Sequence, residues 1–298
     1  MISHIRTDRR ANLIGSLWMM LSMAGFAVED AFIKAASETV PLGQILILFG
    51  LGGMLVFATL AKARGERVFS PAVACPAMAV RAVFEVTGRL FYGLAVVLTP
   101  LSSATVILQA TPVAVVAGAA LVFGERVGWR RWVAIVTGMV GVVITVQPGM
   151  SGFSALSIFA LIGMLGFAGR DLASRAAPAA LGTHVLGVYG FAALVVAGAL
   201  YAAWEGAAFV VPDPGSALFV LGATASGVLA YASLMKAMRM GDVSAVTPFR
   251  YTRLLFGVAL GVAVFQERLS PEMLIGSALI VASGLFILWR GGSGQNRA

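Results

Sequence analysis

The 298-residue chain is 59% hydrophobic and only 11% charged, with a mean hydropathy of +0.94. Because a soluble domain carries roughly a quarter charged residues, this composition excludes an ordinary soluble protein and predicts one whose partner is the lipid bilayer. The net charge of +8 does not indicate a nucleic-acid partner, since the basic residues form short clusters between apolar runs. One cysteine and two histidines exclude an internal disulfide, and we expect neither a metal nor a cofactor.

Apolar runs long enough to cross a bilayer core of about 30 Å follow one another along the chain. The first run follows three arginines and could mimic a signal peptide, but it is longer than a typical signal core. We therefore interpret it as a transmembrane helix. Breaks at charged residues, proline and glycine predict ten such helices, named spans 1 to 10, at residues 12–33, 41–61, 73–97, 101–123, 130–147, 154–174, 182–203, 215–237, 243–265 and 271–289.

Lysine and arginine are distributed unevenly over the predicted loops. If the N-terminus lies inside, only Lys34 and Arg268 fall on the outer side. The cytoplasmic side then receives Arg6, Arg9, Arg10, Lys62, Arg64, Arg67, Arg126, Arg130, Arg131, Arg170, Arg175, Lys236, Arg239, Arg290 and Arg297. The positive-inside rule thus predicts a multi-pass protein of the inner (plasma) membrane with both termini in the cytoplasm.

Two blocks of the sequence recur in its second half. Residues 25–36 match 166–177 at an offset of 141, and residues 102–126 match 244–268 at an offset of 142. Because each half holds five spans, an odd number, the second half must enter the membrane from the opposite side, as in many secondary transporters. We predict an all-α integral membrane protein of about ten transmembrane helices in two inverted five-helix repeats. The predicted repeats are residues 1–148 and 149–298.

Short motifs lie at corresponding places in the two halves. The stretch 101–126 contains Ala-Thr-Pro at 110–112 and Gly-Glu-Arg at 124–126, and its partner 243–268 ends in Gln-Glu-Arg. With these motifs the sequence resembles the drug/metabolite transporter superfamily, specifically its ten-helix members made of two EamA-type repeats, and among them the YddG-like amino-acid exporters. The resemblance implies a central cavity lined by the first four helices of each half, with the fifth and tenth helices outside it.

The predicted function is that of a secondary transporter that exports amino acids or related small metabolites by alternating access. Transport of other small metabolites or drugs is the alternative, as is a membrane protein without transport activity. The sequence contains no His-Glu-x-x-His, Gly-x-Ser-x-Gly or Gly-x-x-x-x-Gly-Lys-Ser/Thr motif, so we predict that it is not an enzyme and carries no ATP motor. A passive scaffold is disfavoured, because intramembrane arginines and paired broken helices are costly.

Span 3 carries three charged residues on one helix face, Arg81, Glu85 and Arg89, at positions i, i+4 and i+8. An arginine near the bilayer centre costs on the order of 3 kcal/mol, so this stripe must face protein or a water-filled cavity. One interpretation is a self-neutralising ion network in which Glu85 bridges two arginines. The other is that the surplus positive charge binds a substrate carboxylate.

Span 9 carries Arg250, Tyr251 and Arg253 shortly after Pro248, and span 4 contains Pro112. Proline removes a backbone hydrogen bond from a helix, and interrupted helices in transporters border the substrate site. We therefore predict that the three span 9 residues bind substrate and that the two prolines contribute to gating. Ordinary packing kinks are the alternative for the prolines. The first half has no counterpart of the two arginines.

Further polar side chains lie in spans 1, 3 and 4. Asp30 is expected to pair with Lys34 one helical turn on, whereas Glu29 has no such partner in the sequence and is predicted to act in coupling or gating. Tyr92 and Gln109 are further candidates for contacts with the substrate, although most aromatic residues in such spans pack or face lipid.

Overall fold

The computed structural model describes residues 9–69, 71–123, 129–147, 154–175, 181–239 and 246–294. These residues are almost entirely helical, and no strand occurs among them. The Gly-Glu-Arg motif at 124–126 and the predicted boundary between the repeats lie outside the described residues. Pro248 is described through its backbone alone.

Helices occupy all ten predicted spans. Eight spans are single helices: Arg9–Ala36, Leu42–Ala63, Pro76–Leu98, Trp129–Val146, Ser157–Arg175, Thr183–Glu205, Pro214–Arg239 and Pro271–Gly294, which are spans 1, 2, 3, 5, 6, 7, 8 and 10. A short 3-10 helix, Pro71–Val73, precedes span 3. Span 8 shows how one of these helices begins: the Asp213 carboxylate accepts hydrogen bonds from the amides of Gly215 and Ser216, at 2.9 and 3.3 Å. Hydrogen bonds from Ser216 hold the pKa of Asp213 below its usual value.

Spans 4 and 9 are both broken. Span 4 consists of the helices Leu101–Leu108 and Thr111–Phe123, and the described part of span 9 contains the 3-10 helix Thr247–Tyr251 and the α-helix Thr252–Ala263. The turn at 109–110 and the junction at 251–252 are separated by the repeat offset of 142, so the two breaks are equivalent positions. Pro112 and Pro248 are each the second residue of the segment in which they occur. At the start of a helix a missing N–H leaves no bond unmade, so the prolines begin segments instead of kinking them.

The two halves pack against each other throughout the protein. Spans 1, 2, 3 and 5 pack mainly against spans 8, 7, 6 and 10, while span 4 packs against spans 6 and 9, and span 9 against spans 1 and 4. Exchanging the halves converts this set of contacts into itself, as a two-fold inverted repeat requires. Both of the largest buried apolar clusters contain spans from each half.

Small residues allow the paired helices to approach closely. A Cβ atom on Gly166 of span 6 would lie 2.5 Å from the backbone nitrogen of Gly88 in span 3. At the equivalent crossing, a Cβ atom on Gly25 of span 1 would lie 2.9 Å from the Cβ atom of Ala230 in span 8. Gly257 likewise packs directly against span 4. These contacts are the small-residue interfaces typical of membrane helices.

Among the described residues, five spans are long and apolar enough to cross a membrane, namely spans 1, 2, 4, 7 and 8, with mean hydropathies of 1.5 to 2.1. The apolar stretches Trp132–Val146 and Pro271–Phe286 in spans 5 and 10 are shorter. Span 3 falls outside this group because it carries three charged residues. Two of them, Arg81 and Glu85, are only 8% and 2% exposed, so their charges are buried against other helices. The chain is a multi-pass membrane protein, and the charged side chains in the middle of span 3 are covered by neighbouring spans.

Candidate functional site

Glu85 of span 3 is at the centre of a buried ion network. Its carboxylate lies 3.2 Å from Arg81 Nη2, 3.5 Å from Arg89 Nε and 3.2 Å from Arg170 Nη1. The network predicted along span 3 is therefore present, and span 6 extends it with a third arginine. Three cations around one carboxylate fix the relative positions of spans 3 and 6, which belong to opposite halves.

Arg170, which the sequence places among the cytoplasmic basic residues, is part of the buried ion network. Its guanidinium also contacts Asp171 at 2.8 Å and lies 4.9 Å from the ring centre of Phe167. Arg170 lies near the C-terminal end of span 6, where position along the chain suggests a loop-facing charge. The buried Glu85 carboxylate on span 3 and the Phe167 ring instead hold it inside the protein. The repeat carries a signal for this position, because Arg170 and Asp171 align with the intramembrane pair Glu29 and Asp30.

Arg89 connects this network to span 1. Its Nη1 atom lies 3.5 Å from Glu29 Oε1, and its Nε atom lies at the same distance from Glu85 Oε1. Glu29 therefore has a partner two spans away, although none was evident in the local sequence. The side chains of Glu29 and Arg89 are 4% and 13% exposed, so this contact is buried as well.

Asp30 forms a second buried ion pair, with Arg253 of span 9. Arg253 Nη2 donates to Asp30 Oδ2 at 2.6 Å, and the Tyr92 hydroxyl donates to the same oxygen at 3.0 Å. The guanidinium of Arg253 also lies over the rings of Phe26 and Tyr92, at 5.2 and 5.5 Å from their centres. Tyr92 and Arg253, both predicted to contact substrate, thus contact each other and Asp30.

The charged residues of the two networks are together called the central charge cluster. They are Glu29, Asp30, Arg81, Glu85, Arg89, Arg170, Asp171 and Arg253.

The prediction that Asp30 pairs with Lys34 is wrong. Lys34 Nζ donates to the backbone oxygens of Val96 and Thr99, at 3.0 and 2.6 Å. These carbonyls end span 3 and have no partners within their own helix, so a lysine here satisfies acceptors that would otherwise lack donors. Asp30 therefore pairs with Arg253 and not with Lys34.

A negatively charged side chain lies at the start of span 4, close to the end of span 3 where Lys34 binds. Glu267, just after span 9, accepts hydrogen bonds from the backbone amides of Leu101 and Ser102 at 2.6 and 2.9 Å, and from the Ser102 hydroxyl at 2.6 Å. A carboxylate satisfies the free amides at a helix start and is favoured by the helix dipole. Lys34 and Glu267 therefore hold the turn between spans 3 and 4 from both sides.

Arg250 differs from the arginines of the central charge cluster. It is half-buried, and no carboxylate among the described residues lies within 4 Å of it. Its backbone oxygen accepts a hydrogen bond from Gln109 Nε2 at 3.3 Å, which links the breaks of spans 4 and 9. Its charge is within electrostatic range of Asp171. With Arg250, the described interior contains five arginines and four carboxylates, which leaves one positive charge in excess.

Tyr251 lies beside this arginine in sequence but faces elsewhere. Its side chain is buried, and its hydroxyl packs directly against Gly284 of span 10. The hydroxyl has no hydrogen-bond partner among the described residues. The structure thus brings together Arg253, Tyr92, Glu29 and the charged residues of span 3, whereas the side chain of Tyr251 lies against span 10.

The sequence matches the EamA-like transporter family at residues 13–147 and again at 154–289. It is 27% identical over 210 residues to an S-adenosylmethionine uptake transporter of Rickettsia conorii, covering 69% of this chain and 68% of that protein. It is 26% identical over 289 residues to a riboflavin transporter of Vibrio cholerae, and 26% identical over 278 residues to the pseudopaline exporter CntI of Pseudomonas aeruginosa. Each of these two matches covers 92% of this chain and 93% of the relative.

A solved crystal structure shares the fold, with a TM-score of 0.63 over 94% of this chain and 98% of its own, at 22% identity. The named relatives are transporters, which confirms that the protein is not an enzyme. The resemblance to proteins of two EamA-type repeats, drawn from the Ala-Thr-Pro and Glu-Arg motifs, is confirmed as well, because the family matches once in each half. The narrower likeness to the YddG-like exporters stays a prediction. The chain belongs to the EamA-like transporter family.

Proposed function

We propose that the protein exports amino acids or related small metabolites across the inner (plasma) membrane by alternating access, and that Arg250 binds an anionic group of the substrate. The observation that carries this proposal is the excess positive charge at Arg250. The arginines of the central charge cluster contact carboxylates of the protein, whereas Arg250 contacts none within the described residues.

The position of Arg250 supports a role in binding. A charged side chain inside a membrane protein is costly without a counter-charge, and such residues mark substrate pathways. Guanidinium groups bind carboxylates through two parallel hydrogen bonds. Arg250 also lies in the 3-10 segment of span 9, and its carbonyl is joined to Gln109 at the break of span 4. Broken helices in corresponding positions of the two halves are typical of transporter binding sites.

The named substrates of the relatives bear on the substrate class. S-adenosylmethionine contains the amino and carboxyl groups of methionine, so one group of relatives transports a compound with an amino-acid end. The riboflavin relative, which matches over 92% of this chain, favours the alternative that the substrate is another small metabolite. The relatives also include both an uptake transporter and an exporter, so the direction must be measured.

Counterflow in proteoliposomes tests the proposal. Purified protein is reconstituted, and exchange is measured for labelled neutral and aromatic amino acids, their carboxamide analogues and riboflavin. We expect exchange of the acids but not of the carboxamides. Loss of one charge-assisted contact is worth about 1.5–3 kcal/mol, so Arg250→Gln should raise the half-saturation concentration about 10- to 150-fold.

Arg67→Gln is the matched control, because Arg67 is exposed in the loop before span 3. It should leave the half-saturation concentration unchanged. Equal exchange by wild type and Arg250→Gln would refute the role of Arg250, and exchange of riboflavin alone would establish the alternative substrate class.

A further inference from the structure

We infer that the carboxyl group of Glu29 in span 1 binds and releases a proton during the transport cycle. This inference rests on the proposed transport function and deepens it by naming a coupling ion. The sequence predicts a coupling role for Glu29 because no local partner is evident, and the surroundings of its carboxylate in the fold give that role a physical basis.

Glu29 is the least satisfied carboxylate of the central charge cluster. It is 3% exposed, and its Oε1 atom has a single cation, Arg89, at 3.5 Å. Its Oε2 atom is buried and has no hydrogen-bond partner among the described residues. The neighbouring Asp30 receives donors at 2.6 and 3.0 Å from Arg253 and Tyr92. A buried oxygen without a donor is costly when charged, and a proton removes that charge.

The surroundings of Oε2 favour a proton over a metal ion. A Cβ atom on Gly227 of span 8 would lie 2.8 Å from Oε2 and 2.7 Å from a ring carbon of Phe49, so this side of the carboxylate is enclosed by backbone and an apolar ring. Hard cations require several oxygen ligands. No group of three potential metal ligands occurs in the described part of the chain. A proton needs neither the space nor the ligands.

The ion network tolerates a change of charge at Glu29 better than at its other carboxylates. Arg89 lies between Glu29 and Glu85, at 3.5 Å from each, so it keeps a counter-charge when Glu29 is protonated. Protonation of Glu85 would instead weaken the hold on three arginines, and protonation of Asp30 would leave Arg253 without its ion pair. Glu29 is thus the carboxylate that can change its charge while the arginines around it stay paired.

The charged and titratable groups that face Glu29 connect it to the proposed substrate site. Spans 2 and 4 contribute no charged residue at this level of the membrane within their described parts. The charged groups that act on Glu29 are Asp30 of span 1, Arg89 of span 3 and Arg253 of span 9, and the span 8 residue beside its Oε2 atom is Gly227. Arg250 lies three residues before Arg253 on span 9, so a substrate anion bound at Arg250 adds a negative charge about one turn from a group that acts on Glu29.

The experiment measures proton movement linked to substrate exchange. Wild-type proteoliposomes containing a trapped pH-sensitive dye are given a substrate gradient, and the proton flux is divided by the substrate flux from the same preparation. We expect a substrate-driven flux in wild type and none above empty vesicles for Glu29→Gln. Glu29→Asp, which restores a carboxyl group, should recover part of it. Glu272→Gln is the matched control, because Glu272 is exposed at the start of span 10.

The outcomes separate this inference from the proposed function. Substrate exchange without proton flux in wild type, or an unchanged ratio in Glu29→Gln, overturns the inference and leaves the transport function intact. If no solute is exchanged, the proposed function fails. Infrared difference spectra across a pH titration then decide the inference. A carboxyl C=O band that is present in wild type and absent in Glu29→Gln supports the proton site, and an identical band in both overturns it.

Discussion

The Asp30–Arg253 pair provides the sharpest test of what holds the two halves together. It joins span 1 to span 9 at 2.6 Å, and the two side chains are 4% and 14% exposed. Asp30→Asn removes the negative charge while keeping the size of the side chain and an oxygen that can still accept from Tyr92. The variant therefore isolates the loss of charge from the loss of packing.

Removing one partner of a buried ion pair costs about 3–5 kcal/mol, because the remaining charge is left uncompensated. Two aromatic rings face the Arg253 guanidinium in the wild-type protein and still stabilise its charge in the variant, so we take the lower end of this range. We therefore expect Asp30→Asn to lower the free energy of unfolding by about 3 kcal/mol. In the double variant with Arg253→Gln, the loss in free energy of unfolding should be about 2 kcal/mol smaller than the sum of the losses in the two single variants. The reason is that the double variant leaves no unpaired charge.

Reversible unfolding in mixed detergent micelles measures these differences. Glu66→Gln is the control: Glu66 contacts His184 at 2.7 Å, but these side chains are 27% and 20% exposed in a loop and at a helix start. Loss of this contact in Glu66→Gln should lower the free energy of unfolding by less than about 1 kcal/mol. A cost for Asp30→Asn no greater than that of the control, or strict additivity with Arg253→Gln, would refute the reasoning.

Three further predictions concern packing, helix capping and topology. Gly166→Ala should lower the free energy of unfolding by about 1–3 kcal/mol, because the new methyl group would clash with span 3. Gly190→Ala is the control: no atom lies within 4 Å of its new methyl group, so it should raise the free energy of unfolding by up to about 1 kcal/mol. Equal effects would contradict the packing argument. Glu267→Gln should cost about 1 kcal/mol and speed hydrogen exchange at the start of span 4; unchanged exchange would show that the cap is dispensable. An impermeant maleimide should label the single Cys75 in inside-out vesicles only, and the reverse pattern would invert the predicted orientation.

Much of the fold could be predicted because it depends on local properties of the chain. Apolar length located the ten spans, and the nearly equal offsets of two sequence blocks predicted the inverted repeat, with which the span contacts agree. The prolines indicated breaks in spans 4 and 9, although they begin segments instead of kinking them. The ion network along span 3 was predictable for the same reason, since Arg81, Glu85 and Arg89 are neighbours on one helix face.

The partners that come from distant spans could not be predicted in this way. Lys34 satisfies the rule for a one-turn ion pair with Asp30, yet it reaches the carbonyl groups that end span 3. Arg253 is 223 residues from Asp30, and no local pattern connects them. Pairing rules for exposed helices fail here because, inside a membrane, satisfying a buried acceptor outweighs a solvated local ion pair.

The repeat makes two helix crossings directly comparable. Gly25 against Ala230, between spans 1 and 8, corresponds to Gly166 against Gly88, between spans 6 and 3. The offsets of 141 and 142 place these pairs at equivalent positions. The backbones therefore meet in the same register at both crossings, so a difference between them lies in the side chains.

One helical turn further along, the two crossings differ in charge. Arg170 meets Glu85 at one of them, and at the other Glu29 meets Gly227, the equivalent of Glu85. The first crossing is closed by an ion pair, whereas the second leaves a carboxylate oxygen facing a glycine. In an inverted repeat with identical crossings, the inward-open and outward-open states would have equal energies by symmetry. Under the inferred proton site, protonation of Glu29 changes the charge at one crossing alone, so it shifts the balance between the inward-open and outward-open states.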